Sequence, residues 1–71
     1  MEFAGQSFES REALTIYFVK SFYQDDCENF LDEAVEKVME GFDGEDDDEY
    51  VEYLGSAEVT AMLEKIAEEN F

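Results

Sequence analysis

Six carboxylates, Asp25, Glu28, Asp32, Glu36, Glu40 and Asp43, follow one another at spacings of 3, 4, 4, 4 and 3 residues. On a helix this spacing places them along one ridge about 27 Å long, with one negative charge per roughly 5.4 Å. Asp26 stands at the start of that ridge, and Glu45, Asp46, Asp47, Asp48, Glu49 and Glu52 continue the negative surface past its end. Carboxylates in such numbers have three chemistries open to them: binding a divalent cation, acid–base catalysis by a pair, or display of a charge array to a basic partner.

The first two fail on residue type and position. An EF-hand loop needs a glycine at its sixth position and a glutamate at its twelfth. Counting from Asp43, these positions are Asp48 and Leu54; counting from Asp46, the sixth is Val51. Dense carboxylates still attract cations loosely, but no metal or other cofactor is expected. A carboxylate-pair hydrolase needs two acids in a cleft with their pKa values driven apart, whereas these acids fall on the solvent side of a helix and in a loop. Cys27 has no histidine to activate it, since the chain contains none, and it reads as a small packed hydrophobe. A phosphopantetheine carrier would need an attachment serine in an Asp-Ser-Leu setting, and Ser56 lies in Leu54-Gly55-Ser56-Ala57-Glu58 instead. The chain is not expected to be an enzyme.

Charge display is what remains, and the composition supports it. The 71 residues carry 21 acidic and 4 basic side chains, a formal net charge of −17. The excess is concentrated: residues 25–52 hold 14 acids and one base. Like charges at i,i+4 each cost a helix a few tenths of a kcal/mol, and only Lys37 interrupts them between residues 25 and 52. Interspersed lysines would keep the segment soluble without that repulsion, so the array is read as functional rather than as a merely solvated face. Crowded carboxylates oppose folding at neutral pH, and added salt should therefore stabilise the free protein. Arg11, Lys20, Lys37 and Lys65 are too few and too scattered to hold nucleic acid or an anionic membrane directly.

The rest of the composition describes the scaffold. Hydrophobic residues make up 45% of the chain and aromatics 15%, enough for residues 1–71 to form one folded domain rather than a disordered tail. A domain this small buries only about 60% of its unfolded surface, which leaves little room for an enclosed substrate pocket. No run has the roughly 18 apolar residues of a membrane span, and Met1-Glu2-Phe3-Ala4-Gly5 lacks the features of a signal peptide. The expected location is the cytoplasm of a host cell.

Local signals assign the elements that must carry the acids. Residues 1–10, with Phe3 and Phe8 about Gly5-Gln6, suit a short strand, a hairpin or an extended arm whose rings dock on the core. Ser10 caps a segment in which Leu14, Tyr17, Phe18, Ser21 and Phe22 share a helical face through about Tyr23; the run Thr15-Ile16-Tyr17-Phe18-Val19 would also suit a buried strand. Asp25 or Asp26 caps a second helix whose stripe is Cys27, Leu31, Ala34, Val35, Val38 and Phe42, stopped by Gly41 and Gly44. An acidic loop spans 43–49, and residues 50–54 are a turn or two of helix or a short strand. Ser56 caps a last helix with Val59, Met62, Leu63, Ile66 and Ala67 on one face and Phe71 near the same stripe. The fold expected is mainly α, with three or four helices, with or without a short N-terminal β-hairpin, an α+β arrangement being the alternative.

In size, charge, aromatic content and vocabulary such as Phe42-Asp43-Gly44-Glu45-Asp46-Asp47-Asp48-Glu49-Tyr50, the chain resembles the small acidic inhibitors encoded by phages and mobile elements. These are the anti-CRISPR proteins, with anti-restriction proteins next and uracil-glycosylase inhibitors beside them; several are DNA mimics. The resemblance implies a non-enzymatic inhibitor whose acids copy DNA phosphates and occupy the basic groove of a nucleic-acid-binding protein, foremost a Cascade-type CRISPR effector. Tyr50 and Tyr53 are then either anchors beside the acids or core. Two other functions fit the same letters: an antitoxin or nuclease immunity protein that neutralises a basic toxin, and a non-catalytic structural phage protein.

Overall fold

The computed structural model describes residues 2–3, 5–24 and 26–70. Asp25, named above in the acidic ridge, and Phe71, named in the last apolar stripe, lie outside the described residues. Of the three forms open to the first ten residues, the chain takes the hairpin: β1 (Glu2–Phe3) pairs antiparallel with β2 (Gln6–Ser7), in the register Glu2 to Ser7 and Phe3 to Gln6. Gly5 sits at the turn with φ +78°, a conformation that L side chains rarely adopt.

Ser10 starts α1 (Arg11–Tyr23) by accepting a hydrogen bond from Ala13 N at 3.1 Å through its hydroxyl. The strand reading of residues 15–19 is thereby excluded. The buried face differs from the one expected: Leu14, Thr15, Val19 and Tyr23 are buried, while Ser21 and Phe22 are exposed. Apolar residues run round this helix because it packs on two sides. One side enters the core, and Tyr17 and Phe18 on another side meet the hairpin, Phe3 lying 6.4 and 5.9 Å from their ring centroids and Phe8 5.2 Å from Tyr17.

The C-cap of α1, Gln24, is left-handed (φ 54°, ψ 45°), and its N–H reaches the Lys20 carbonyl. A side chain pays for that conformation where glycine does not. Gln24→Gly should therefore raise stability by about 0.5–1 kcal/mol, after allowing for the looser unfolded chain. The denaturation midpoint measures this, and a lower midpoint would contradict the cap assignment.

The second helix is shorter than its apolar stripe predicts. α2 runs Leu31–Glu40, and residues 26–30 are turns, closed by Asp26 N to the Tyr23 carbonyl and Phe30 N to the Cys27 carbonyl, both at 3.1 Å. Its N-cap is Phe30, with no side-chain cap, rather than Asp25 or Asp26. Cys27 and Phe30 are buried all the same, 2% and 5% exposed, so the turn delivers them to the core as a helix would have done.

α2 ends at Gly41, whose φ of −74° is ordinary for any residue. Close approach is what demands glycine there. A Cβ would collide with the Tyr53 hydroxyl and come within 3.2 Å of Met62 Cε, and that hydroxyl is held by its bond to the Val38 carbonyl at 2.8 Å. Gly41→Ala should cost about 1–2 kcal/mol through overpacking, read as a lower melting temperature with unchanged helicity. An unchanged melting temperature would mean that Tyr53 moves freely.

Two further helices complete the domain. α3 (Asp47–Leu54) settles the form of residues 50–54, and α4 (Ala57–Asn70) begins at Ser56, whose hydroxyl accepts from Val59 N at 3.4 Å. The fold is mainly helical, with four helices and one two-stranded hairpin among the described residues. α1 packs on α2 and α3, and α4 packs on the same two helices. Leu14, Val38, Leu54, Val59 and Leu63, all fully buried, belong to the one core cluster that the four helices share.

Candidate partner-binding surface

The acids that the sequence placed along one ridge and past its end are carried by four successive pieces of structure. Asp26 and Glu28 lie in the turns before α2; Asp32, Glu36 and Glu40 lie on α2; Asp43, Glu45 and Asp46 lie in the extended stretch that follows; Asp47, Asp48, Glu49 and Glu52 lie on α3. All of them are exposed. The straight ridge of six carboxylates is thus corrected to three, because α2 starts at Leu31 and ends at Glu40. Asp32, Glu36 and Glu40 keep the four-residue spacing over about 12 Å.

The acidic loop is likewise shorter than residues 43–49, since α3 begins at Asp47. Repulsion between neighbouring acids argued against helix there, but two favourable terms outweigh it. Asp46 is the N-cap, its carboxylate accepting from Asp48 N at 2.9 Å. Asp47, Asp48 and Glu49 then occupy the first turn, where the helix dipole and unsatisfied N–H groups favour negative charge.

Arg11 supplies a third term. Its Nε–H donates to Asp47 Oδ1 and its Nη1–H to the Gly44 carbonyl, both at 3.0 Å, and its guanidinium carbon lies 5.4 Å from the ring centroids of both Phe42 and Tyr50. This is the one ion pair among the described residues. Asp46 and Asp47 therefore have structural work inside the protein, whereas Asp43, Glu45, Asp48, Glu49 and Glu52 make no ion pair.

Tyr50 and Tyr53 belong to the scaffold rather than to the exposed surface. Tyr50 is 1% exposed. The Thr15 hydroxyl spends its proton on the Arg11 carbonyl at 2.6 Å, so Tyr50 is the donor in its bond to Thr15 Oγ1. Burial pushes the Tyr50 phenol above its usual 10.0, with the Arg11 charge pulling it back. Tyr53, half-buried, is raised in the same direction by burial first and then by Glu58 and Tyr50. Among the described residues the exposed large hydrophobe is Phe22, at 36%.

One feature of the surface was not legible as such in the sequence. α1 and α2 enclose an open groove of about 440 Å³ between them. Its floor is Ile16, Val35 and Met39, and its rim is Glu12 on α1 facing Asp32, Glu36 and Glu40 on α2. Glu12 reads locally as a first-turn acid of α1, and only the packing of the two helices brings it to the others. No three Asp, Glu or Cys side chains among the described residues are placed to hold a metal ion together. No helix of the described residues is long and apolar enough to cross a membrane.

With so many exposed carboxylates and one ion pair, the free protein should respond to salt. Raising ionic strength from about 0.05 to about 0.5 M shortens the Debye length from roughly 14 to roughly 4 Å. A rise in melting temperature of about 4–8 °C is expected, equivalent to about 1 kcal/mol for a domain of this size. A melting temperature indifferent to salt would show that the acids are too dispersed to repel.

No protein-family model, curated protein or solved structure matches the chain.

Proposed function

We propose that the protein is an inhibitor that binds a nucleic-acid-binding protein or complex through its acidic surface, substituting carboxylates for DNA phosphates. The target we favour is a CRISPR effector whose binding of target DNA it blocks. The observation that carries this reading is the combination of thirteen exposed carboxylates from Asp26 to Glu52 with a packed helical scaffold beneath them. Lys and Arg in the target's groove would pair with these acids and give up their DNA. Steric occlusion adds to the effect, since a molecule of 32 × 21 × 17 Å seated in the target's groove leaves no room for DNA there. The partner is a protein, with no direct nucleic acid, membrane or cofactor involved.

The test is competition: purified protein titrated against a Cascade-type complex loaded with labelled duplex DNA. Displacement that weakens as salt rises supports the reading, and DNA retention at all salt concentrations contradicts it for that target.

A second reading gains from the shortened ridge. With three carboxylates in line on α2 rather than six, the continuous phosphate-like path is short, and exposed acids on separate elements suit the basic cleft of a nuclease toxin as well as they suit a phosphate path. Recovery of a lone nuclease from a host lysate, with no effect on CRISPR or restriction complexes, would favour this antitoxin or immunity role.

A further inference from the structure

Phosphate mimicry uses carboxylates and leaves the apolar floor of the α1–α2 groove unexplained. We propose that this groove docks a basic amphipathic helix of the protein partner, with Lys or Arg rows flanking an apolar seam. The proposal rests on the reading above that the partner is a basic protein, and it goes beyond that reading by naming the element recognised and the place where it sits.

Two properties of the groove select this occupant. The first is register. Asp32, Glu36 and Glu40 stand four residues apart on α2, so they advance about 6 Å per step along the helix axis. A facing helix with basic residues at the same spacing advances by the same amount and pairs with each acid in turn. Glu12, across the groove on α1, faces a second basic row.

The second property is the floor. Val35 is 8% exposed and Ile16 and Met39 are half-buried, so the groove offers an apolar strip between charged edges. Its volume of about 440 Å³ falls in the range of about 300–1,000 Å³ typical of binding pockets. Apolar helix anchors at i, i+3 and i+4 fill such strips in helix-in-groove recognition, and a methionine in the floor adapts to their shape. Charge complementarity excludes the obvious alternative, a second copy of this chain, because a molecule of net charge −17 would bring like charges together across the seam.

The experiment uses the whole protein and two synthetic helical peptides of about four turns, identical in composition. One has Lys at i,i+4 flanking a Leu seam; the other has the same residues scrambled so that no seam forms. Binding is measured by fluorescence anisotropy at about 0.15 M ionic strength, where the Debye length is about 8 Å. The amphipathic peptide is expected to bind at least about tenfold more tightly than the scrambled one. The Glu36→Gln/Glu40→Gln variant should weaken both peptides. Met39→Gln should weaken the amphipathic peptide alone, and about threefold or more.

Equal affinity for the two peptides overturns the proposal, as does equal loss of both in Met39→Gln. Where a variant fails to fold, methyl chemical-shift changes in the wild-type protein decide: they must centre on Ile16, Val35 and Met39, and shifts centred elsewhere overturn the proposal. Should the wild type displace DNA from its target while Met39→Gln, folded, does so equally well, this groove assignment falls and the inhibitor reading stands. Absence of displacement together with selective peptide binding has the opposite meaning.

Discussion

Replacing Arg11 by Met should destabilise the protein by about 2–3 kcal/mol and loosen the stretch between α2 and α3. The ion pair with Asp47 accounts for little of this, because the Asp47 side chain is 62% exposed and exposed pairs contribute about 0–1 kcal/mol. The larger loss is at the Gly44 carbonyl, which gives up a hydrogen bond from a charged donor, worth about 1.5–3 kcal/mol and discounted here for partial exposure. Contacts with the Phe42 and Tyr50 rings add about 0.5–1 kcal/mol each where exposed. Methionine retains much of the packing and none of these interactions. Arg11→Lys keeps the charge but lacks the planar fork that serves Asp47 and Gly44 together, and it should recover less than half of the loss. Chemical denaturation measures the stability, and a Glu-specific protease acting at Glu45 reports the loop. Wild-type stability and unchanged cleavage in Arg11→Met would show that α3 is held by its own cap and by Tyr50 alone.

Alkaline pH should unfold the protein through Tyr23. Its hydroxyl donates to the Leu63 carbonyl, joining α1 to α4, and its ring stacks edge-on against Phe22 and Phe30. Burial, then the neighbouring Cys27 charge, push the phenol from 10.0 up to about 12. A tyrosine whose folded pKa exceeds its unfolded one contributes stability that is complete below pH 10 and is lost as pH climbs through 12. The loss amounts to about 2–3 kcal/mol, set against a total of about 4–10 kcal/mol for a domain of this length. Tyr50 and Tyr53 shift in the same direction and add to it. The Tyr23 share of the phenolate absorbance, read as wild type minus Tyr23→Phe, and helicity, followed together from about pH 8 upward, should change in one cooperative step. Tyr23→Phe should cost about 1 kcal/mol near neutrality, through the lost bond to Leu63, and flatten the alkaline slope. Phenolate formation by Tyr23 itself, read as the absorbance of the wild type minus that of Tyr23→Phe, with helicity intact would contradict the burial of Tyr23.

The scaffold was readable in the sequence wherever one face alone meets the core. α4 is the clearest case: Val59, Leu63 and Ile66 recur at helical spacing and are all buried. α1 misled because its apolar residues serve both the core and the hairpin, so periodicity chose Ser21 and Phe22 where the structure buries Val19 and Tyr23. The start of α2 misled for a different reason. Cys27 and Phe30 are buried from turns in nearly the phase a helix would give, and apolar spacing cannot tell the two apart. The N-terminus of α3 depends on Arg11, 36 residues away from Asp47, a pairing that no local pattern announces. Of the acidic surface, the exposure of every described member was legible in its charge. The groove that unites Glu12 with Asp32, Glu36 and Glu40 was not, since it exists only once α1 and α2 pack.

The central claim is that carboxylates fixed on this scaffold compete with nucleic acid for a basic protein surface. The most direct measurement is displacement of duplex DNA from a Cascade-type complex by the wild type and by a Glu12→Gln/Asp32→Asn/Glu36→Gln/Glu40→Gln variant, with helicity of the variant confirmed first. The account predicts that the wild type displaces the DNA and that the variant, at least as stable once its repulsion is relieved, needs about a hundredfold more protein to do so. A folded variant that displaces DNA as effectively as the wild type would contradict it.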